Sequence, residues 1–384
     1  MSDPVESRQA FRDFLALLEQ VDGEFLGEAR GVVAPADVAE GEHMLLHLIK
    51  AGIDTWVDND AARPRFAPLA SAVLKWGGEG ADNPSHCAPL DPTRRYKITG
   101  RMRDEAYISF TVYTGKEEGD WNDDVVSALN HTEFARDADG RFEIEVSPTP
   151  RPGALHMQPG KPNCVISRHY FEREVCAMAD PTLRCDFDIE CLDEPGYSRP
   201  LPPAALADKL RAAMNFIHGQ TLARKQDPSA TPSWFSLVPN QLPQPEKWVP
   251  SVGGGAGAVD NAYCAGLVVL QPEEALIVEA RWPECVYANV MFWNRFLQTG
   301  DYRYRSCSLN RKQMQADPEG RFAFVVAHRD PGVPNWIDTE GHPAGTLYWR
   351  FLLPEGKIEQ PRCRVVPLAD AAQAIAESAT EPGA

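Results

Sequence analysis

The chain has 384 residues, 43% of them hydrophobic, enough to build a large core in one to three domains. Its formal net charge is −17, which argues against nucleic acid and anionic membrane as partners, because both require a basic footprint. No run approaches the roughly 20 apolar residues of a membrane span, and the opening residues carry acids where a signal peptide needs a basic end and an apolar stretch.

The first eighty residues read as helical. Phe11, Phe14, Leu15 and Leu18 fall on one face of a first helix. A second starts near Asp37, an expected N-cap with Glu40 three residues on, and places Met44, Leu45, Leu48 and Ile49 on one stripe. From Tyr96 the hydrophobic period changes to two, which predicts strands over 96–102, 106–113, 141–146, 165–171 and 184–192. A long helix follows over about 203–225. Residues 228–261 then form an irregular Pro/Gly-rich connection containing the run Gly253 to Gly257, with Trp234, Phe235 and Trp248 beside it as candidate lid residues. Strands resume at Tyr263 and continue to about Pro367, before a short helix and a tail.

An internal repeat links the two strand-rich stretches. DADGRFEIEV at 137–146 matches DPEGRFAFVV at 317–326, 180 residues later. The same offset lays Tyr107 over Tyr287, and two inserted residues then lay Arg168 over Arg350. The expected fold is therefore mainly β with a helical N-terminal region, in the α+β class. Two related antiparallel β-sandwich modules are joined by a long helix and a Pro/Gly-rich linker, with divisions at 1–90, 91–200, 201–262, 263–368 and 369–384. The nine cysteines are scattered without a CxxC pair, so reduced core thiols are expected.

The loop 328–350, HRDPGVPNWIDTEGHPAGTLYWR, gathers two histidines, several carboxylates, an asparagine, a tryptophan and an arginine between two apolar strands. Its segment DPGVPNWIDTEGHPAGTLYWR resembles the signature of the bacterial domain of unknown function family numbered twelve-fourteen. The upstream stretch 293–313, WNRFLQTGDYRYRSCSLNRKQ, is similar to the rest of that family's block, so the clear resemblance spans about 272–353. It implies a β-sandwich, a bacterial origin and longer cytoplasmic relatives, and it supplies no reaction.

Asp338 and His342 are four apart, a spacing that lets a carboxylate orient an imidazole for acid/base work. With His328 they also make a two-histidine, one-carboxylate set, the basis of a metal-dependent alternative. Arg350 on the next strand is suited to holding an anionic group bidentately. Tyr287 and Trp293 alternate onto one strand face with Asn294 at its end, while Asn335 and Trp336 lie inside the loop. Arg305, in an alternating Tyr-Arg stretch read as a strand, and Arg168 complete the substrate-binding candidates. Solvated ion pairs and satisfied structural corners are the plainer account of each. Asp186, Asp188 and Glu190 read as the wet face of a strand, and His43 and His47 lack the order of a zincin motif.

No dinucleotide fingerprint, phosphate loop or nucleophile elbow is present, and no cofactor is expected apart from the metal alternative. The expected function is an enzyme of hydrolase or lyase type, acting on a small or medium metabolite with hydroxyl or acidic groups, such as a sugar, polyketide or terpenoid. His342, Asp338, His328 and Arg350 would carry the chemistry. The alternative is a non-catalytic carbohydrate- or lipid-binding β-sandwich. The expected partner is a small molecule, with homo-oligomerisation left open and a cytoplasmic location assumed.

Overall fold

In the computed structural model, which describes residues 5–121, 124–193, 201–224, 229, 231–249 and 257–378, the N-terminal periodicity is satisfied one step away from the expected face. Helix α1 (Glu6–Gln20) buries Ala10 and Phe14 and leaves Phe11 and Leu15 exposed. The reason is close approach: Ala10 packs on Ala207 and Leu210 of α3 (Pro203–Gln220), where a larger side chain would hold the helices apart. Helix α2 (Pro35–Gly52) begins earlier than Asp37, because Pro35 presets the backbone of its first turn. Its buried stripe contains Met44, Leu45 and Leu48 as the pattern required. Strands also begin earlier than the period-two signal.

The first module contains β1 (Ala67–Ala70), β2 (Ser85–Leu90), β3 (Tyr96–Arg101), β4 (Tyr107–Thr114), β5 (Asp124–Asn130), β6 (Arg141–Ser147), β7 (Leu155–His156), β8 (Asn163–Tyr170) and β9 (Asp186–Cys191). After α3 come β10 (Phe235–Ser236), β11 (Glu246–Lys247), β12 (Asn261–Val269), β13 (Glu274–Arg281), β14 (Tyr287–Trp293), β15 (Ser308–Asn310), β16 (Arg321–Ala327), β17 (Trp336–Asp338), β18 (Ala344–Leu352) and β19 (Arg362–Pro367). The chain closes on α4 (Ala371–Ser378).

Both modules have the same strand order. One sheet runs β1-β2-β8-β4-β5 and its counterpart β10-β12-β18-β14-β15. The second sheet runs β7-β6-β3-β9 in the first module and β17-β16-β13-β19 in the second. The hairpin turns of the sequence repeat also coincide, since Met102 bonds Gly140 as Trp282 bonds Gly320. Each sandwich encloses its own apolar core, around Phe110, Ile144 and Val165 in one and Phe324, Leu347 and Trp349 in the other. Pairing is antiparallel except for the short strands β7, β10 and β17, which add in parallel. The carboxylates Asp186, Asp188 and Glu190 lie on an exposed face, as alternation predicted.

The sheets carrying β4 and β14 turn their second faces toward each other. Part of the first is covered by the helices, where Trp56, Trp76, Trp121 and Phe216 meet Tyr113, Cys164 and Ile166. The remainder meets the second module through Tyr107, Tyr170, Tyr287 and Leu352.

Two reciprocal clamps close this junction. Tyr107 Oη donates to Asp260 at 2.5 Å, and Asn130 Nδ2 donates to the same oxygen at 3.1 Å. In the other direction, Tyr287 Oη and Asn310 Nδ2 donate to Asp82 Oδ2 at 3.0 and 3.1 Å. Each aspartate stands just before the first inner strand of one module and is caught by the other. Burial pushes the Asp82 carboxyl up to about 6, against the donors that favour its charge.

Hydrogen bonds to a charged partner contribute about 1.5–3 kcal/mol each. Tyr107→Phe and Tyr287→Phe are therefore expected to lose about that much apiece in urea denaturation. A loss under about 0.5 kcal/mol for both would mean that the clamps do not hold the modules together.

Candidate functional site

The histidines and Asp338 of the loop 328–350 are held by the loop itself, by α2, and by Leu270 and Arg305. His328 Nδ1 lies 2.6 Å from Thr339 Oγ1 and its Nε2 3.2 Å from the Leu270 carbonyl. His342 Nδ1 meets the Thr339 carbonyl at 2.7 Å, and its Nε2 meets Glu40 of α2, also at 2.7 Å. Asp338 does not orient His342: it accepts from Arg305 at 2.8 Å and from the Glu340 backbone N–H at 2.7 Å. Nor do His328, Asp338 and His342 converge as a metal set among the described residues. The competing partners are nearer: a turn with Glu340 and Gly341 at positive φ turns Asp338 and His342 onto the backbone of Glu340 and Thr339.

Asn335 pins another turn, accepting from Gln315 N and donating to Gln315 and Ala323 carbonyls. Trp336 donates to Ala327 O at 3.1 Å and packs with Val333 and Ile375. Arg305 lies in a turn, not a strand, and holds Asp338 and Glu340. Its neighbours do not alternate as a strand would require, Tyr302 being buried and Tyr304 exposed.

Four of the candidates do come together, in the layer between the modules. Arg168 and Arg350 occupy equivalent positions on β8 and β18, opposite Ser109 and Asn289. Arg350 donates to the Gly78 carbonyl and lies over the rings of Trp293 and Tyr348, at 5.4 and 5.1 Å. Arg168 donates to Tyr113 Oη at 3.0 Å. Trp293 donates to the Glu79 carbonyl at 3.0 Å, and Tyr287 belongs to the clamp on Asp82. These groups are buried and serve the junction.

The cavity suited to a ligand lies one turn further along the same face, where helices cover the second module. It has a volume of about 640 Å³. Met44 and Leu48 of α2, Phe25, Val32, Trp76, Phe235, Leu267, Phe296 and Leu297 give it apolar walls, and Ala344, Gly345 and Thr346 continue them from the end of the loop. Three arginines face it: Arg30, Arg224 and Arg295. Among the described lining residues there is no His, Cys, Asp or Glu.

The walls come from distant segments held by specific bonds. Arg295 bonds Asp37 at 2.7 Å and the Arg30 and Gly31 carbonyls, tying the β14–β15 turn to the start of α2. Asn294 caps that turn through Phe296 N and Gln298 N and donates to Glu40 at 2.9 Å. Leu297 is thereby held at φ 58°, a region that costs a non-glycine residue free energy. Arg30 Nη2 donates to the Arg224 carbonyl, while the Arg224 guanidinium bonds the neutral Gln220 side chain. Arg224 is exposed just beyond the end of α3. No carboxylate pairs with it among the described residues.

Sequence reasoning marked Phe235 as a lid residue but missed Arg30, Arg224, Phe25, Met44 and Phe296 as one wall. No spacing signals them, because folding alone brings these segments together. The run Gly253 to Gly257 lies outside the described residues except for Gly257.

A duplicated β-sandwich protein with a helical cover and an arginine-studded apolar cavity is the class this architecture defines. Residues 81–170, within the first module, match the model of a family described as protein of unknown function (DUF1214). The match corrects the location read from the loop signature, which fell in the second copy of the shared strand pattern. A crystal structure of an uncharacterized protein from Burkholderia cenocepacia is 28% identical, covering 95% of this chain and 98% of that one, with a TM-score of 0.82. The VPA0106 protein from Vibrio parahaemolyticus is 13% identical over 85% of this chain and 98% of that one, at a TM-score of 0.46. No curated protein matches the chain.

The Glu40 partner raises His342 to about 9, chiefly through their hydrogen bond. Because the folded value lies above the unfolded one of roughly 6.5, this pairing is fully present below pH 6.5 and is lost as pH rises toward 9. Its worth is at most about 3 kcal/mol. Glu40→Gln is expected to destabilise the protein most near pH 6, with the gap to wild type shrinking by pH 10. A gap that is constant in urea denaturation across this range would show that His342 is not charged by Glu40.

Proposed function

We propose that the protein binds an amphiphilic organic carboxylate, with an apolar body of acyl or terpenoid type, in the cavity between the helices and the second module. The observation that carries this reading is the lining: apolar walls and three arginines, with no acidic side chain among the described lining residues. Apolar surface would hold the body of the ligand, and a guanidinium would hold its carboxylate. Arg224 is the expected anchor, since Asp37 occupies Arg295. The volume suits a small metabolite.

A hydrolase or lyase draws no support from this cavity, because its described lining offers no general acid or base. Acid/base work by His342 would require Glu40 to release the imidazole. The binding reading therefore stands ahead of the catalytic one.

Thermal shift with fatty and terpenoid acids, set against their methyl esters, tests the proposal. Acids are expected to raise Tm and esters to do so less. Arg224→Gln should weaken acid binding roughly 10–100-fold, as loss of a charged hydrogen bond implies, while leaving ester binding nearly unchanged. Equal shifts for acids and esters, or unchanged acid binding in Arg224→Gln, would refute it.

A further inference from the structure

Glu105, His169 and Cys185 are far apart in sequence but meet at one end of the first sandwich. Glu105 precedes β4, His169 is next to last on β8, and Cys185 stands immediately before β9. Each offers one donor atom, and the three atoms lie within 4.8 Å of one another. His169 Nδ1 is 3.6 Å from Glu105 Oε1, too long for a hydrogen bond. Neither nitrogen of this imidazole, which is 1% exposed, makes a hydrogen bond among the described residues. A buried neutral imidazole carries an N–H and a lone pair that ordinarily find partners.

The second module shows that the fold does not need a polar group there. In the matching strand pair, Ile108 faces His169 in the first module and Ala288 faces Phe351 in the second. Phe351 is fully buried hydrocarbon. The histidine is thus specific to one copy.

We infer that Glu105, His169 and Cys185 form a binding site for a single zinc-class divalent ion, with the fourth position left to water. Oxygen, nitrogen and sulfur donors together suit zinc. Tetrahedral bonds of 2.0–2.3 Å place donors roughly 3.3–3.6 Å apart, so the Glu105–His169 separation of 3.6 Å already fits, and the three donors need draw together only slightly from within 4.8 Å. The remaining surroundings match a metal site. Arg103 N donates to the other Glu105 oxygen at 2.7 Å and fixes the carboxylate, while the Phe187 ring lies 4.5 Å from the imidazole. Cys185, half-buried, gives the ion a way in from the surface.

The test is titration of the untagged full chain with zinc and with cobalt chloride. Wild type should take up about one equivalent, and the cobalt form should show the near-ultraviolet thiolate charge-transfer band and the visible bands of a tetrahedral site. Cys185→Ser should lose the charge-transfer band and weaken zinc by more than the roughly 10–100-fold typical of groups that merely orient ligands. Cys363→Ser, a half-buried thiol elsewhere, should change neither. His169→Gln should also abolish uptake, and if that variant fails to fold, Cys185→Ser decides alone. Absence of uptake by wild type, or equal uptake and an equal band in Cys185→Ser, would overturn the site.

Discussion

The buried Asp82 and the half-buried Asp260 set the geometry on which the rest depends. A carboxylate taken out of water must be surrounded by donors, and here most of those donors belong to the opposite module. Neither module can satisfy its own aspartate, so the two sandwiches are fixed face to face. That arrangement encloses Arg168 and Arg350 and leaves the far end of the second module's inner sheet to be covered by helices. The arginine-lined cavity is a by-product of this mismatch, since two curved sheets and a helical layer do not fill one volume evenly.

The helical cover is attached by polar contacts at its edge. Glu40 alone holds both His342 and Asn294, and Arg295 reaches back to the opening of α2. Of these, His342 was expected to be catalytic and Asn294 substrate-binding. Their placement gives them a mechanical role, positioning Phe296 and the strained Leu297 against Met44 and Leu48.

Legibility in the sequence followed the range of the interactions. Strands such as β6, with alternating burial over Arg141–Ser147, could be read because a half-buried sheet imposes a period of two. The duplication could be read at its hairpins, where DG and EG turns constrain sequence strongly. β2 escaped notice because both its faces are covered, so Ser85–Leu90 shows no alternation. Tyr287, Trp293, Arg168 and Arg350 read as site residues from the sequence, and they meet at the junction and not around His342. The deciding partner, Glu40, lies some three hundred residues from His342, and no local pattern announces a contact of that kind. The cavity wall and the Glu105–His169–Cys185 trio are hidden for the same reason.

The crossed capture of Asp82 and Asp260 also has a temporal side. During synthesis on the ribosome the leading half of the chain emerges with Tyr107 and Tyr170 facing outward, and their partners Asp260, Tyr287 and Leu352 are made only later, between residues 260 and 352. Until then that aromatic surface stays bare, a hazard that contacts of such long sequence separation impose on a nascent polypeptide. Chaperone demand is accordingly concentrated in the interval while the second half is translated.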